Sequence, residues 1–539
     1  MKRKVISLVL ASAFVIGALS ACAGNNTAPA ASSTPASQAP AASSAPASQA
    51  PAAPAPAAPA PEGGATGKII IATENETPSL TVAQHNAVAG TYMNNLTNNG
   101  LFRIQFDNLT PVPDLVETYE NVSDTVWQFK LKEGVLFHNG EELTAEDVKA
   151  SLEYVKQFPD CVQYQKVVEK VELVDKYTFT ITTPGPSATI LNDLSHHGNW
   201  IMPKSLIDSG NDFNANPIGT GPYLFKNWTF GDSVSFEANE NFFDTARAPK
   251  IKDMTWRIIP EGSSRTIALE AGEVDMIIEV ATQDIPRMEA SGNITVLRVP
   301  GTGHNFIMMN NERAPFDNEY FRKALNCAID KESVVGIALD GLASVTYNTT
   351  PNIFDGVSFE NLGSYDPEKA KEYLELSGLD LSKIDFAIIC SNDQKRRCAE
   401  VIQSNLLEVG VTCHLETMDL ATYLDVTTTT EYETAIGGYN SSDILSYLTG
   451  VYNSASIGAS NQARYKNDEV DALIDKAVIT LDEAERLVLV EEATKILNAA
   501  TANVPLYQTL HMRAFNSKLV MPELSANGQM AMHMVYWTE

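Results

Sequence analysis

No G-x-S-x-G, H-E-x-x-H or phosphate-loop pattern occurs in the chain, nor any Cys/His spacing of the zinc-site kind. Carboxylates are plentiful but scattered, so no acid–base pair stands out. These absences argue against the common hydrolase and nucleotide-binding chemistries. Positive charge is scarce: 38 Lys and Arg stand against 67 Asp and Glu, a net charge of −29. Nucleic-acid binders need basic faces, so that partner class is set aside. Cysteine is scarce too, with six in 539 residues and no C-x-x-C. In an exported chain, Cys390, Cys398 and Cys413 leave room for one disulfide, or for free buried thiols. A hydrophobic fraction of 44% supports a buried core without indicating a polytopic membrane protein. The length allows two or three core-forming units.

The one long apolar run lies at the start. Basic Lys2, Arg3 and Lys4 precede Val5 to Ala21, a run short for a spanning helix and ordered like a secretory signal. It ends Leu19-Ser20-Ala21-Cys22, small residues before a single cysteine, as in a bacterial lipobox. The expectation is a signal over 1–21 and a lipid on Cys22, holding the protein at the outer face of the bacterial cytoplasmic membrane. Several acyl chains on one cysteine anchor far better than one. Residues 22–67 are almost entirely Ala, Pro, Ser and Gln. Such a segment cannot bury a core and reads as an extended tether.

From Lys68 onward, strand and helix patterns alternate without a fixed repeat. KIIIAT reads as a strand, and Thr144-Ala145-Glu146-Asp147 as a capping-box helix start. EYFRKALNCAIDKESVVGIAL reads as one long amphipathic helical region. IDFAIIC, QKRRCAEVIQSNLLEVG and VTCHLETMD read as strand, helix, strand, implying a parallel pair with a right-handed crossover. The fold class is α/β in two lobes, with ligand expected in the crevice at strand carboxyl ends. NPIGTGPYLFKNW, 216–228, holds two glycines around Thr220. Pro222 follows at once and removes a backbone donor, so a tight turn with unusual glycine φ angles is expected rather than a phosphate cradle.

Seven segments in order then resemble one family, the extracellular solute-binding proteins of peptide/nickel-type ABC importers. They are LKEGVLFHNGEELTAEDVKASL, NPIGTGPYLFKNW, ALEAGEVD, NNERAPFDNEYFRKALNCAIDKESVV, YDPEKAKEYLELSGL, GYNSSDILSYL and VPLYQ. The resemblance implies a periplasmic-binding-protein-like (type II) fold. Lobe I would span 68–304, with a subdomain inserted at about 104–212. Lobe II would span 305–507, and 508–539 would return to lobe I. The chain would cross between lobes near Thr302–Asn305 and Leu506–Gln508. A solute, most readily a short peptide, would be enclosed as the lobes close, and a permease with its ATPase would receive it. A monomer is implied, with no enzymatic activity and no cofactor. The alternatives are another solute (a nickel or other metal chelate, a sugar, an amino-acid derivative) or a surface chaperone or sensor of the same fold.

The resemblance also names candidate contacts. Glu74, Asn75 and Glu76 form the loop after the first strand, which lines the cleft in the family. Tyr439 stands where relatives carry a tryptophan that packs on the ligand. Asn440 falls at the position of the aspartate that takes a peptide's α-ammonium, with Ser441 beside it. A neutral side chain there departs from the pattern and puts ammonium recognition in question. Asp443 would substitute only in a shifted loop, and otherwise caps the next helix. Tyr507 sits at the second crossing. Asn392 opens a helix, by capping or by lining the cleft; His304 lies at a crossing and His85 near the cleft edge. His196-His197 invites a metal reading, as do Met530, Met532 and Met534 with His533. Strand alternation would separate His533 from the methionines, so core packing is preferred and no metal ligand set is expected.

Overall fold

The computed structural model describes residues 65–85, 87–106, 109–359, 363–521 and 524–538. The signal segment, Cys22 and nearly all of the tether lie outside the described residues. The alternating elements build one eleven-stranded mixed sheet and a separate four-stranded antiparallel sheet, with helices packed against them. The order across the large sheet is Thr412–Thr417, Asp385–Cys390, Thr434–Tyr439, Ile294–Met309, Val504–Asn516, Met276–Ile277, Lys68–Thr73, Asp253–Ile258, Ser233–Ala238 and Tyr223–Thr229. The short strand Ala343–Val345 pairs beside Val504–Asn516.

Two strands dominate. Ile294–Met309 has 16 residues and Val504–Asn516 has 13. They pair antiparallel from Ile294 opposite Asn516 to Ile307 opposite Val504. The ladder loses register between Pro300 and His304 and again between Asn305 and Phe306. To one side, Asp385–Cys390 and Thr412–Thr417 pair in parallel, joined by the helix Asp393–Glu408. Ile307, Ile388 and Ile436 face one core there, while Phe306, Met308 and Tyr447 face another. To the other side, Ile69, Ile71, Met254 and Trp256 anchor a third core.

The four-stranded sheet comes from residues between Val116 and Thr182. Its alternation is strict, with Trp127, Phe129 and Leu131 turned inward. The helix Ala145–Tyr154 begins with the expected capping box: the Thr144 N–H donates to Asp147 Oδ2 at 2.8 Å.

Several expectations need correction. Gly219 and Gly221 do not adopt positive φ. Space is what requires glycine there: a Cβ on Gly219 would lie 2.3 Å from the Thr97 carbonyl oxygen, and one on Gly221 would lie 2.4 Å from the Thr97 carbonyl carbon. The Gly221 N–H donates to Thr97 O at 2.9 Å, and the His138 N–H donates to Gly219 O at 2.8 Å. The turn is thus wedged between the end of helix Val88–Thr97 and the loop carrying His138. The long helical region from Glu319 is broken. Its first helix stops at Ala328, Asp330 caps a new turn through Ser333 N at 3.1 Å, and a π-helical turn follows over Val334–Ala338. The C-terminal tail is not one strand. Gly528, at φ 83°, turns the chain; Met530 makes an isolated bridge to Leu524, Met532–Met534 form a 3-10 turn, and Tyr536–Trp537 pair with Leu519–Val520. The five described cysteines, Cys161, Cys327, Cys390, Cys398 and Cys413, are all buried free thiols.

Gly221→Ala should destabilise the protein by about 1–3 kcal/mol through this clash. Denaturant unfolding of the variant measures it; an unchanged midpoint would mean the Thr97 backbone yields freely.

Candidate ligand-binding cleft

The loop Gly438–Asp443 leaves the carboxyl end of strand Thr434–Tyr439 and borders a cleft of about 240 Å³. Asn440, Ser441 and Ser442 form one wall. Val88 and Thr91, at the start of the helix Val88–Thr97, form part of the opposite wall with Tyr164, His196 and His197. Thr302 lies at the first register break of the long ladder. Freed from the ladder there, its N–H donates to Ala526 O at 2.9 Å and its hydroxyl donates to Asn440 Oδ1. Thr302 thus joins the tail to the loop.

Asn527 and Gln529 of the tail complete the wall. The buried Arg513 holds the tail in place. Its guanidinium donates to Gly528 O at 3.1 Å, Tyr92 Oη at 2.9 Å and Ile278 O at 3.3 Å, and to Met530 Sδ at 3.1 Å. No carboxylate lies within 4.0 Å of it among the described residues. Carbonyl, hydroxyl and thioether acceptors satisfy the buried cation instead.

The opposite wall is a stack of rings. Tyr164 lies on His196 with centroids 3.5 Å apart, His196 on His197 at 4.3 Å, and His197 on His85 at 4.9 Å. Burial pushes the His197 pKa down to about 4 and holds His196 well below its ordinary value, with the neighbouring imidazoles adding to the effect. Both imidazoles are therefore neutral at pH 7, and no Asp, Glu, Lys or Arg lines the cleft.

Two further cavities touch the same loop. Tyr439 borders one of about 220 Å³ with Phe306 and Met308. Ser442 and Asp443 border another of about 200 Å³ with Thr189, Asn192, Glu483 and Arg486. Nearby, burial raises the Asp193 carboxyl to about 7; Asp443 adds to the shift, while the Thr189 hydroxyl, 3.0 Å away, opposes it.

Residues 110–459 match the family model for bacterial extracellular solute-binding proteins, family 5 middle. The chain belongs to this family. Over 432 residues it is 28% identical to heme-binding protein A of Haemophilus influenzae, covering 73% of this chain and 78% of that one. Over 420 residues it is 29% identical to the glutathione-binding protein GsiB of Pectobacterium atrosepticum, covering 73% and 79%. Its fold is that of HbpA2 from Haemophilus parasuis, with a TM-score of 0.81 at 23% identity, over 88% of this chain and all of that one. The fold is the two-lobed α/β binding-protein fold.

In this solute-binding protein the sequence candidates separate into two groups. Asn440 and Ser441 line the cleft and Tyr439 borders the adjoining cavity. Asp443 accepts from Ser446 N at 2.9 Å and so caps the helix Ile444–Val451. Asn392 likewise caps, accepting from Lys395 N at 2.9 Å. The loop after the first strand is engaged within its own half. Glu74 pairs with buried Arg265 at 3.3 Å, and Glu76 accepts from Trp228 Nε1 at 2.6 Å and Gly231 N at 2.8 Å. Asn75 is exposed. None of these three lines the cleft. His85 lies behind the wall, bonded through Nε2 to Asn94 Oδ1 at 2.7 Å. Tyr507 is buried in the core. His304 is fully buried, with Nδ1 2.6 Å from the Tyr447 hydroxyl.

Tyr164, Asn527 and Gln529 carried no signal in the sequence, and Thr302 was marked only as the edge of a crossing, not as a contact; chain folding brings them together. His196-His197 was visible as a pair and read as packing.

Burial lowers the His304 pKa to about 3 and holds His533 well below its ordinary value. Unfolding lets both bind protons near pH 6.5. Their contribution to stability is therefore complete above pH 6.5 and falls as pH drops toward the folded values. Urea unfolding between pH 7 and 4 should show this loss, with a shallower slope for His304→Gln. An identical slope in the variant would contradict neutral burial.

Proposed function

We propose that this solute-binding protein captures a short peptide, or a similarly amide-rich solute, in the cleft at Asn440 and delivers it to an ABC permease and its ATPase. The observation behind this reading is the uncharged lining: Asn440, Ser441, Thr302, Asn527 and Gln529 offer donors and acceptors suited to peptide groups. The glutathione-binding relative supports a small peptide ligand. Closure of the two halves would replace the ligand's water with these groups, and it works only to the extent that the solute binds the closed form better. The protein acts by binding rather than catalysis, as a monomer at the outer face of the membrane, with Cys22 as its lipid anchor. No helix among the described residues is long and apolar enough to cross a membrane. Without a carboxylate in the lining, recognition would rest on backbone amides more than on the α-ammonium. A metal chelate is the second reading, favoured by the imidazole wall and the heme-binding relative.

Thermal-shift measurements on the full-length protein test this with di- and tripeptides, their N-acetylated forms, sugars, heme and nickel chelates. A ligand at a hundred times its Kd stabilises by about 2.7 kcal/mol. Both peptide forms should shift the transition similarly. A clear shift with heme or a chelate and none with millimolar peptides would replace the peptide reading. Asn440→Asp should tighten free-amine peptides by about tenfold, roughly 1.4 kcal/mol, and leave acetylated ones unimproved; equal affinities would remove Asn440 from the amine end. Cys22→Ser should move the protein from the membrane fraction to the soluble one, and continued membrane retention would exclude the lipid anchor.

A further inference from the structure

Cys161, His196 and His197 meet in the cleft wall, and we propose that they form a site for a borderline-soft divalent metal ion of the zinc class, with its fourth coordination position open to the cleft. The Cys161 sulfur and one ring nitrogen of each histidine lie within 4.8 Å of one another. A tetrahedral ion with bonds of about 2.0–2.3 Å sets its ligands roughly 3.3–3.8 Å apart, so loading needs side-chain shifts of about 1 Å. One thiolate and two imidazoles suit zinc; calcium and magnesium require oxygen ligands.

The surroundings favour this use. Cys161 reaches the histidine pair because residue 198 is glycine: a Cβ there would lie 2.6 Å from Cys161 Cβ and 2.8 Å from its sulfur. The His85 carbonyl accepts from His197 Nε2 at 2.9 Å and from Cys161 Sγ at 3.1 Å. The first bond orients the imidazole and leaves Nδ1 as the lone-pair nitrogen, the outer-shell arrangement that supports a metal-ligating histidine. The Thr91 hydroxyl lies 3.4 Å from that Nδ1 but has one proton and a second acceptor, Ala87 O, at 3.2 Å. His196 has a competing bond, since its Nδ1 accepts from Gly198 N at 3.2 Å. Metal binding replaces the S–H proton of Cys161, which leaves to water, while the His85 carbonyl keeps its bond from His197. Cys161 and His197 are buried; His196 and His197 line the cleft. The fourth ligand is therefore water or a donor atom of the captured solute. Only this last point rests on the solute reading of the cleft.

Titration of reduced, metal-free full-length protein with Co2+, without any solute, tests the site. One equivalent should bind with thiolate-to-cobalt charge-transfer absorption in the near ultraviolet, and Zn2+ should displace it. Cys161→Ala should abolish the band. His196→Ala, at a partly buried position, should weaken Co2+ binding at least about tenfold. The melting temperature of each metal-free variant checks the fold. A wild-type protein without the band, or an undiminished band in Cys161→Ala, would overturn the site. Peptide shifts measured on metal-free protein keep its failure separate from failure of the peptide reading.

Discussion

One antiparallel ladder carries the molecule. Strands Ile294–Met309 and Val504–Asn516 form the centre of the large sheet, and the remaining strands attach to one flank or the other. A buried backbone group left without a partner costs about 1–3 kcal/mol, so paired strands of this length form a stiff spine. The spine is interrupted beside the candidate cleft. Between Pro300 and His304 the ladder slips, and Thr302 turns its N–H to the tail and its hydroxyl to Asn440. The irregularity at this point re-aims the Thr302 side chain, as bulges do.

The cleft is built from groups that stay neutral. Burial holds His196 and His197 uncharged, and stacking on Tyr164 and His85 orients their rings. Two charged groups close to the wall are engaged elsewhere: Asp443 caps a helix, and Arg513 is enclosed by uncharged acceptors. The same enclosure of Arg513 holds the tail segment that carries Asn527 and Gln529 in the candidate cleft.

Local elements were largely legible in the sequence. The period-2 alternation of WQFKL, the capping box at Thr144 and the strand–helix–strand order around Asp393–Glu408 each reflect short-range physics, and each formed. Misreadings arose where distant contacts override local pattern. Met530 to Met534 alternates like a strand, yet Gly528 and the Arg513 contact to Met530 curl it into a turn. Gly219 and Gly221 resemble turn glycines but are required by the backbone of Thr97. Of the candidate site, the Tyr439–Ser441 loop was legible through its resemblance to the family's segment.

By itself, the sequence determined the alternation of strands and helices, the acidic surface and the motif order that marks the family. These depend on residues near one another in the chain or on composition. Tertiary structure decided which groups join the Asn440 loop around the cleft. Tyr164, Thr302, Asn440 and Gln529 are far apart in sequence, and the register break in one ladder brings Thr302 to Asn440. Whether a polar side chain caps a helix, pairs in a core or waits for a ligand depends on which partners reach it first in space, and no local pattern encodes that choice.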